Sequence, residues 1–386
     1  MAGTDITNLL DIVQRKINAV DSSASTGDLL YLLSAIRQSG EGSVFAYDNE
    51  SQIPNLLDGT PDPEMIAYTL DSDKLYFQRG SWVGKAIPPI PPFQGSNYGY
   101  MSGGIGPGSP GNTDVIDKFS FTSNGNATDV GNLTSTSGQG AAGQSSTTNG
   151  YATAFQTFSS KIDKISFASG GDATTSGTLP YSSDGLCGQS STANGYASGN
   201  SGYVNKFPFA ADADAVDVVN LVGADAAHGA GISSSFDGYV AGGGYNPGTT
   251  PIDKFPFASD ANATTDVGDL SVARGFMCGQ NSSTHGYISG GSAASLNAYS
   301  AIIDKFPFVT HGTATNVGNL SVARGFGITA SQSSTTDGYA CGGRALPAPA
   351  YPIQSVIDKF SFASDGNAAN IGSLTIARYG SAGQQH

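Results

Sequence analysis

A Gly-Tyr pair recurs six times through the last three quarters of this 386-residue chain, at Gly99-Tyr100, Gly150-Tyr151, Gly195-Tyr196, Gly238-Tyr239, Gly286-Tyr287 and Gly338-Tyr339. Between successive pairs lies a second recurring element: Asp117-Lys118-Phe119, Asp163-Lys164-Ile165, Asn205-Lys206-Phe207, Asp253-Lys254-Phe255, Asp304-Lys305-Phe306 and Asp358-Lys359-Phe360. Residues 93–386 shared among six units give 49 residues each, the length of four short strands with their turns. One such unit cannot bury its own apolar faces, so the units must stack against one another.

Composition agrees with an all-β chain. Fifty-three glycines and 12% charged residues suit short strands and tight turns. A formal charge of −14 repels phosphate backbones, so no nucleic-acid partner is expected. The start of the sequence, Met1-Ala2-Gly3-Thr4-Asp5, has no basic n-region followed by an apolar stretch, and no run of about 18 apolar residues occurs; synthesis in a cytosol without membrane insertion is the expectation. Cys187, Cys278 and Cys341 lack metal-site or disulfide-framework spacing. Cys187-Gly188-Gln189 and Cys278-Gly279-Gln280 align with Ala142-Gly143-Gln144 and Ala382-Gly383-Gln384, so the position asks only for a small buried side chain.

Residues 271–308 read as Ser271-Val272-Ala273-Arg274, Gly275 to Gln280, a polar turn from Asn281 to Gly286, a strand from Tyr287 to Gly291 and another from Asp304 to Phe308. This resembles the kelch repeat, which carries an arginine before its first strand and a double glycine ending its second. Ala-Arg occurs at Ala273-Arg274, Ala323-Arg324 and Ala377-Arg378, and Gly-Gly at Gly103-Gly104, Gly242-Gly243, Gly290-Gly291 and Gly342-Gly343. The usual fourth-strand tryptophan is replaced by Val-Gly, as at Val130-Gly131 and Val267-Gly268, and the second and third units lack the double glycine. The resemblance implies a six-bladed β-propeller over residues 93–386. Residues 377–384 look like a first strand without its second, and Gln94 to Gly104 like a second strand without its first. The C-terminal strand is therefore expected to close the ring.

The repeated Asp and Lys are read as structural: strand alternation puts Asp117, Phe119 and Phe121 on one face and Ile116 and Lys118 on the other, so the phenylalanines pack between blades and the charges pair. Asp260 to Asp266 faintly follows a calcium loop, but the equivalent Thr310 to Asn316 lacks the carboxylates, and a turn is the better reading. Neither HExxH, GxSxG nor a phosphate loop in context is present, and the four histidines share no repeat position. No catalytic residue, metal or cofactor is assigned.

From each Asp/Asn-Lys to the next Gly-Tyr the spacing is nearly fixed, at 32 to 34 residues, while from Gly-Tyr to the next Asp/Asn-Lys it ranges from 10 to 20. The variable loops join second and third strands and share a rim with the fourth-to-first links. Variation gathered on one rim marks a binding face. Tyr245, Tyr299, Arg344 and Tyr351, with Arg274 and Arg324 on the links, are the candidate contacts.

The N-terminal quarter reads as an α+β module. Ile6, Leu9, Leu10, Val13, Ile17 and Val20 form one helical stripe, and Leu29, Leu30, Leu32, Leu33 and Ile36 belong to a second helix ending at Gly40. Two short apolar helices need something to cover them, so residues 1–42 are read as an attachment segment. Residues 43–85 form a small β-hairpin module, with strands around Asp71-Ser72-Asp73 and a turn at Gly80-Ser81-Trp82, and the proline-rich 86–92 is a stiff linker. The hairpin module resembles those near the N-termini of bacteriophage tail-fibre proteins, and the Asp-Lys-Phe-Pro-Phe-Ala-Ser-Asp repeats resemble virion proteins of marine phages, especially those infecting cyanobacteria. That likeness implies a virion structural protein, a fibre, spike or decoration, contacting other virion proteins through residues 1–87, oligomeric on the particle, and displaying the propeller to a host-surface glycan or protein. The alternatives are a kelch-like oxidase or glycan-active enzyme, and a cellular adhesin or scaffold.

Overall fold

The computed structural model describes strands within 43–86 and most of 94–386; residues 1–42, 48–64, 70–73, 79–81, 87–93, 109–110, 139, 154–158, 184, 200–201, 222–226, 245–247, 259–262, 294–297, 326–330 and 347–350 lie outside the description. The expected helices of residues 1–42 and nearly all of the proline-rich linker therefore fall outside it. The chain divides into two compact units, Met1–Ile90 and Pro91–His386.

In the first unit, Ser43–Tyr47, Met65–Thr69, Lys74–Gln78 and Trp82–Ala86 form one sheet in that order. The expected hairpin appears in the register Ile66↔Phe77 through Thr69↔Lys74. Two strands were not foreseen. Ser43–Tyr47 pairs in parallel with Met65–Thr69, and Trp82–Ala86 continues the sheet where a turn was expected at Trp82.

In the second unit the described residues are all-β. Four separate four-stranded sheets are antiparallel meanders. One runs Ala142–Ser145, Asn149–Thr153, Ser159–Ser166 and Thr174–Ser183; the next runs Cys187–Ser190, Asn194–Gly199, Tyr203–Pro208 and Val216–Asn220. A third runs Ser331–Ser333, Asp337–Cys341, Val356–Ser361 and Ala369–Ser373. The fourth joins the two ends of the unit: Ala382–Gln385 pairs with Tyr98–Ile105, followed by Asn112–Ser120 and Thr128–Ser137. A ten-stranded sheet contains the remaining meanders, Ala230–Ser233 to Thr265–Gly275 and Cys278–Asn281 to Thr315–Gly325, joined through the short strand Ser292–Ala293, with Arg344–Ala345 added on Thr315–Gly325.

Each core lies between neighbouring sheets, and the repeat motifs supply it. The tyrosine of every Gly-Tyr packs on the second aromatic of the following unit's Asp-Lys-Phe-x-Phe element: Tyr100 on Phe167, Tyr151 on Phe209, Tyr196 on Phe257, Tyr239 on Phe308 and Tyr287 on Phe362, with ring centroids 4.8–5.2 Å apart. Tyr339 on Phe121 carries the same contact across the seam between the ends of the unit. Each aromatic pair adds about 0.5–1.5 kcal/mol beyond its buried area. The glycine before each tyrosine is there because a phenylalanine covers it; a Cβ on Gly99 would lie 2.4 Å from Phe119, and one on Gly338 2.4 Å from Phe360.

Nearest the axis the sheets meet backbone to backbone. A Cβ on Gly143 would lie 1.9 Å from the Gly383 carbonyl oxygen, on Gly188 2.0 Å from that of Gly143, on Gly231 2.4 Å from that of Gly188 and on Gly279 2.1 Å from that of Gly231. Gly383 in turn abuts Ser331, so this glycine waist passes the seam as well. Beside it, buried glutamines tie neighbours together: Gln144 Nε2 donates to the Tyr196 carbonyl, Gln189 to Tyr239, Gln280 to Tyr339, Gln332 to Tyr100 and Gln384 to Tyr151, at 2.6–3.0 Å. Ile232 occupies the sixth such position. The arrangement is that of a β-propeller.

Three of the repeated lysines reach over to the neighbouring sheet, while Lys118 lies over Tyr98 and Lys254 pairs with Asp237, each within its own sheet. Lys164 pairs with Asp212, Lys305 with Asp365 at 2.7 Å, and Lys359 Nζ donates to Asn124 Oδ1 at 3.0 Å. The cysteines are free and fully buried, and burial pushes the thiols of Cys187 and Cys278 up to about 12.

Candidate binding rim

The rim built from second-to-third loops and fourth-to-first links carries a belt of short pairings. Arg274 and Gly275 pair with Ala293 and Ser292, which pair with Ala298 and Tyr299; Ser300 pairs with Arg324; and Arg324 and Gly325 pair with Ala345 and Arg344. Arg344 also bridges to Ile353. Backbone pairing thus carries residues distant in sequence onto one patch.

Three of the six candidate residues meet there. The rings of Tyr299 and Tyr351 lie 6.2 Å apart, and the Arg344 guanidinium stands 5.2 Å from the Tyr351 ring centre. The ring of Tyr379, which the repeat comparison did not single out, lies 5.1 Å from the same guanidinium. All four side chains are half-buried. Arg344 against two aromatic rings is a cation–π arrangement, which holds a long side chain in place at little further entropy cost on binding. Tyr351 has a positive φ of 41°, costly for a residue with a Cβ and often kept where function requires it. Burial, and to a smaller extent Tyr351 and Tyr379, raise the Tyr299 phenol above its ordinary value, against the opposing pull of Arg344. The phenol is neutral at ordinary pH and can donate a hydrogen bond. The patch therefore offers ring faces for C–H or apolar surface, one cation and neutral hydroxyls, which suit binding a polar ligand rather than a proton-transfer step.

Arg274 and Arg324 require correction. Both side chains are fully buried: Arg274 NH2 lies 2.6 Å from Asp304 Oδ2 and its NH1 donates to the Gly290 carbonyl at 2.7 Å, while Arg324 repeats this with Asp358 at 2.6 Å and Gly342 at 2.8 Å. Each arginine of one link locks the aspartate and double glycine of the next unit. A ligand on the rim cannot reach them, so they position the belt and do not contact a ligand. Arg378 holds Asp117 the same way at 3.2 Å, also fully buried. Tyr245 lies outside the described residues.

The junction aspartates are thereby committed to structure. Where no arginine precedes the unit, Asp163 accepts from Thr134 N at 2.8 Å and Thr134 Oγ1 at 2.9 Å, and the third unit substitutes Asn205. Among the described residues, no group of three His, Cys, Asp or Glu side chains could hold a metal ion. Residues 260–262 of the suspected calcium loop lie outside the description, and its last residue, Asp266, makes a turn: its Oδ1 accepts from Gly268 N at 3.0 Å. Asn316 repeats that bond with Gly318 at 3.0 Å.

No family model matches this chain, and no curated protein sequence matches it. Solved structures do: one titled "Structure of YjhT" superposes with a TM-score of 0.52 over 72% of this chain and 97% of its own, at 14% identity. At that identity the likeness shows the β-propeller fold alone.

Proposed function

We propose that this protein is a bacteriophage virion structural protein, a tail fibre, spike or decoration, that docks through residues 1–87 and displays a six-bladed, kelch-like propeller whose rim binds the host surface. The ring reaches six blades when the two meanders of the ten-stranded sheet are each counted as one. The reading of the chain as virion-borne rests on the N-terminal hairpin and the Asp-Lys-Phe-Pro-Phe repeats. The observation that carries the binding reading is the convergence of Tyr299, Arg344 and Tyr351, drawn from two variable loops, with Tyr379 from the closing link. Their chemistry suits a host-surface glycan, since pyranose C–H faces stack on aromatic rings while hydroxyls bond to an arginine. The proposed mechanism is binding without catalysis.

Alanine at Tyr299, Arg344 and Tyr351 together is expected to reduce host-cell binding at least tenfold with the melting temperature of the propeller nearly unchanged. Binding equal to the parent's would remove this patch as the contact surface.

A further inference from the structure

Two residues beyond the close-packed waist, each strand nearest the axis carries a polar side chain: Ser145, Ser190, Ser233, Asn281, Ser333 and Gln385. Together they line an axial cavity of about 60 Å³, room for a small ion with a few waters. Five of the six junctions are linked head to tail, the step from Ser233 to Asn281 being the exception. Ser145 N donates to Ser190 Oγ at 3.0 Å, Ser190 N to Ser233 Oγ at 3.0 Å, Asn281 N to Ser333 Oγ at 2.9 Å, Ser333 N to Gln385 Oε1 at 2.6 Å and Gln385 N to Ser145 Oγ at 3.0 Å.

This linkage fixes what the ring offers to the axis. Each serine oxygen accepts a backbone N–H, and no acceptor among the described residues takes the hydroxyl hydrogen of Ser145, Ser190, Ser233 or Ser333, which leaves it available to the cavity. Asn281 interrupts the serine series, and its Nδ2, in a residue only 8% exposed, is buried without a partner. Four hydroxyls and one amide therefore supply donors, and no carboxylate lines the cavity. The chain closes over the same residues as it enters the propeller: Gln94 Nε2 donates to the Asn281 carbonyl at 2.8 Å and the Ser334 carbonyl at 3.0 Å.

A guest for this ring must accept several hydrogen bonds at once. A cation would find donors pointing at it and no carboxylate to balance it. A water molecule accepts about two hydrogen bonds, so a single water cannot take all five donors at once. A monatomic anion accepts from every direction and fits within the cavity. We propose that the axial cavity binds a small monatomic anion, chloride under ordinary conditions, held by the serine hydroxyls and Asn281 Nδ2 as a bolt across five of the inner strands.

Bromide is the probe, because it replaces chloride and scatters anomalously. Crystals of the full chain soaked in sodium bromide should show an anomalous peak inside the ring, within hydrogen-bonding distance of at least two serine oxygens and of Asn281 Nδ2. In solution, melting should occur roughly 2–4 °C higher in chloride than in gluconate of equal ionic strength. Asn281→Leu keeps the volume and removes the donor, so it should weaken the peak and shrink the salt difference. If that variant fails to fold, the wild-type peak remains decisive. Bromide found only at the outer surface, with water in the ring and equal melting in both salts, would overturn the proposal.

Discussion

The guanidinium of Arg378 lies 3.2 Å from the carboxylate of Asp117, both fully buried, at the seam where the last link of the propeller meets its first full sheet. The same contact elsewhere joins consecutive units; here it joins the two ends. Arg378 NH2 also donates to the Met101 carbonyl at 2.8 Å, and Thr375 N and Oγ1 both donate to Asp117. The seam is thus held by buried charge as well as by the strand Ala382–Gln385.

Removing one partner of that pair should cost far more than removing both. Arg378→Met leaves Asp117 as an uncompensated buried charge, for which about 3–5 kcal/mol of lost stability is expected. Arg378→Met combined with Asp117→Asn should recover at least half of the loss. Urea unfolding of the three proteins measures this, and equal losses for the single and double variants would mean that the pair does not hold the seam.

Deleting residues 377–386 removes both the pair and the closing strand, exposing the edge of Tyr98–Ile105. An unpaired edge of this length recruits other chains. The truncated protein should associate into large species on sedimentation and melt at a lower temperature. A monomer with unchanged melting would refute closure by this strand.

The glycine waist should tolerate change unequally. Gly143→Ala places a methyl 1.9 Å from the Gly383 carbonyl oxygen, and since both neighbours are backbone the sheets must separate. A loss of roughly 2–4 kcal/mol or failure to fold is expected. Ser331 stands at the corresponding place on its strand and already carries a Cβ, so Ser331→Ala should change stability by less than about 1 kcal/mol. Thermal melts of the two variants compare the positions directly.

Acid should loosen one junction through His311. At the place where Lys164 and Lys305 find Asp212 and Asp365, Lys254 faces His311 and turns to Asp237 at 3.6 Å. Burial chiefly, then Lys254, lower the His311 pKa below its ordinary 6.5, with Asp237 opposing. A histidine lowered on folding contributes stability that is complete above pH 6.5 and is lost as the pH falls through the folded value. His285, lowered by burial and Lys305 against Asp365, acts in the same direction. Asp237, raised by burial, returns part of the loss at still lower pH. Melting temperature should therefore fall as pH drops below 6.5, and His311→Asp, which restores the acidic partner found beside Lys164 and Lys305, should reduce the fall. An identical profile for that variant would assign the acid sensitivity elsewhere.

The repeat made the sheets legible before any coordinates, because Gly-Tyr and Asp-Lys-Phe each serve one invariant packing role. Arg274 and Arg324 were misplaced because an arginine beside a turn reads as surface, and its buried partner, Asp304 or Asp358, lies 30 or 34 residues on, in the next unit. The same ambiguity hid the length of the fourth strands: Ser271–Arg274 reads as the start of a unit, yet Thr265–Gly275 is one strand whose end reaches under the next sheet. Tyr379 does carry a signal in the sequence. Arg274 and Arg324 are each followed by glycine, Arg378 by tyrosine, and that departure brings the fourth ring to the patch.

The central claim is that residues 1–87 attach the protein to a phage particle and the propeller is a self-sufficient head. Expressing residues 93–386 and residues 1–87 fused to an unrelated domain during infection, and measuring how much of each copurifies with particles, tests it most directly. The account predicts a soluble, folded propeller fragment absent from particles and a fusion that incorporates. A propeller fragment that incorporates as well as the full chain would contradict it.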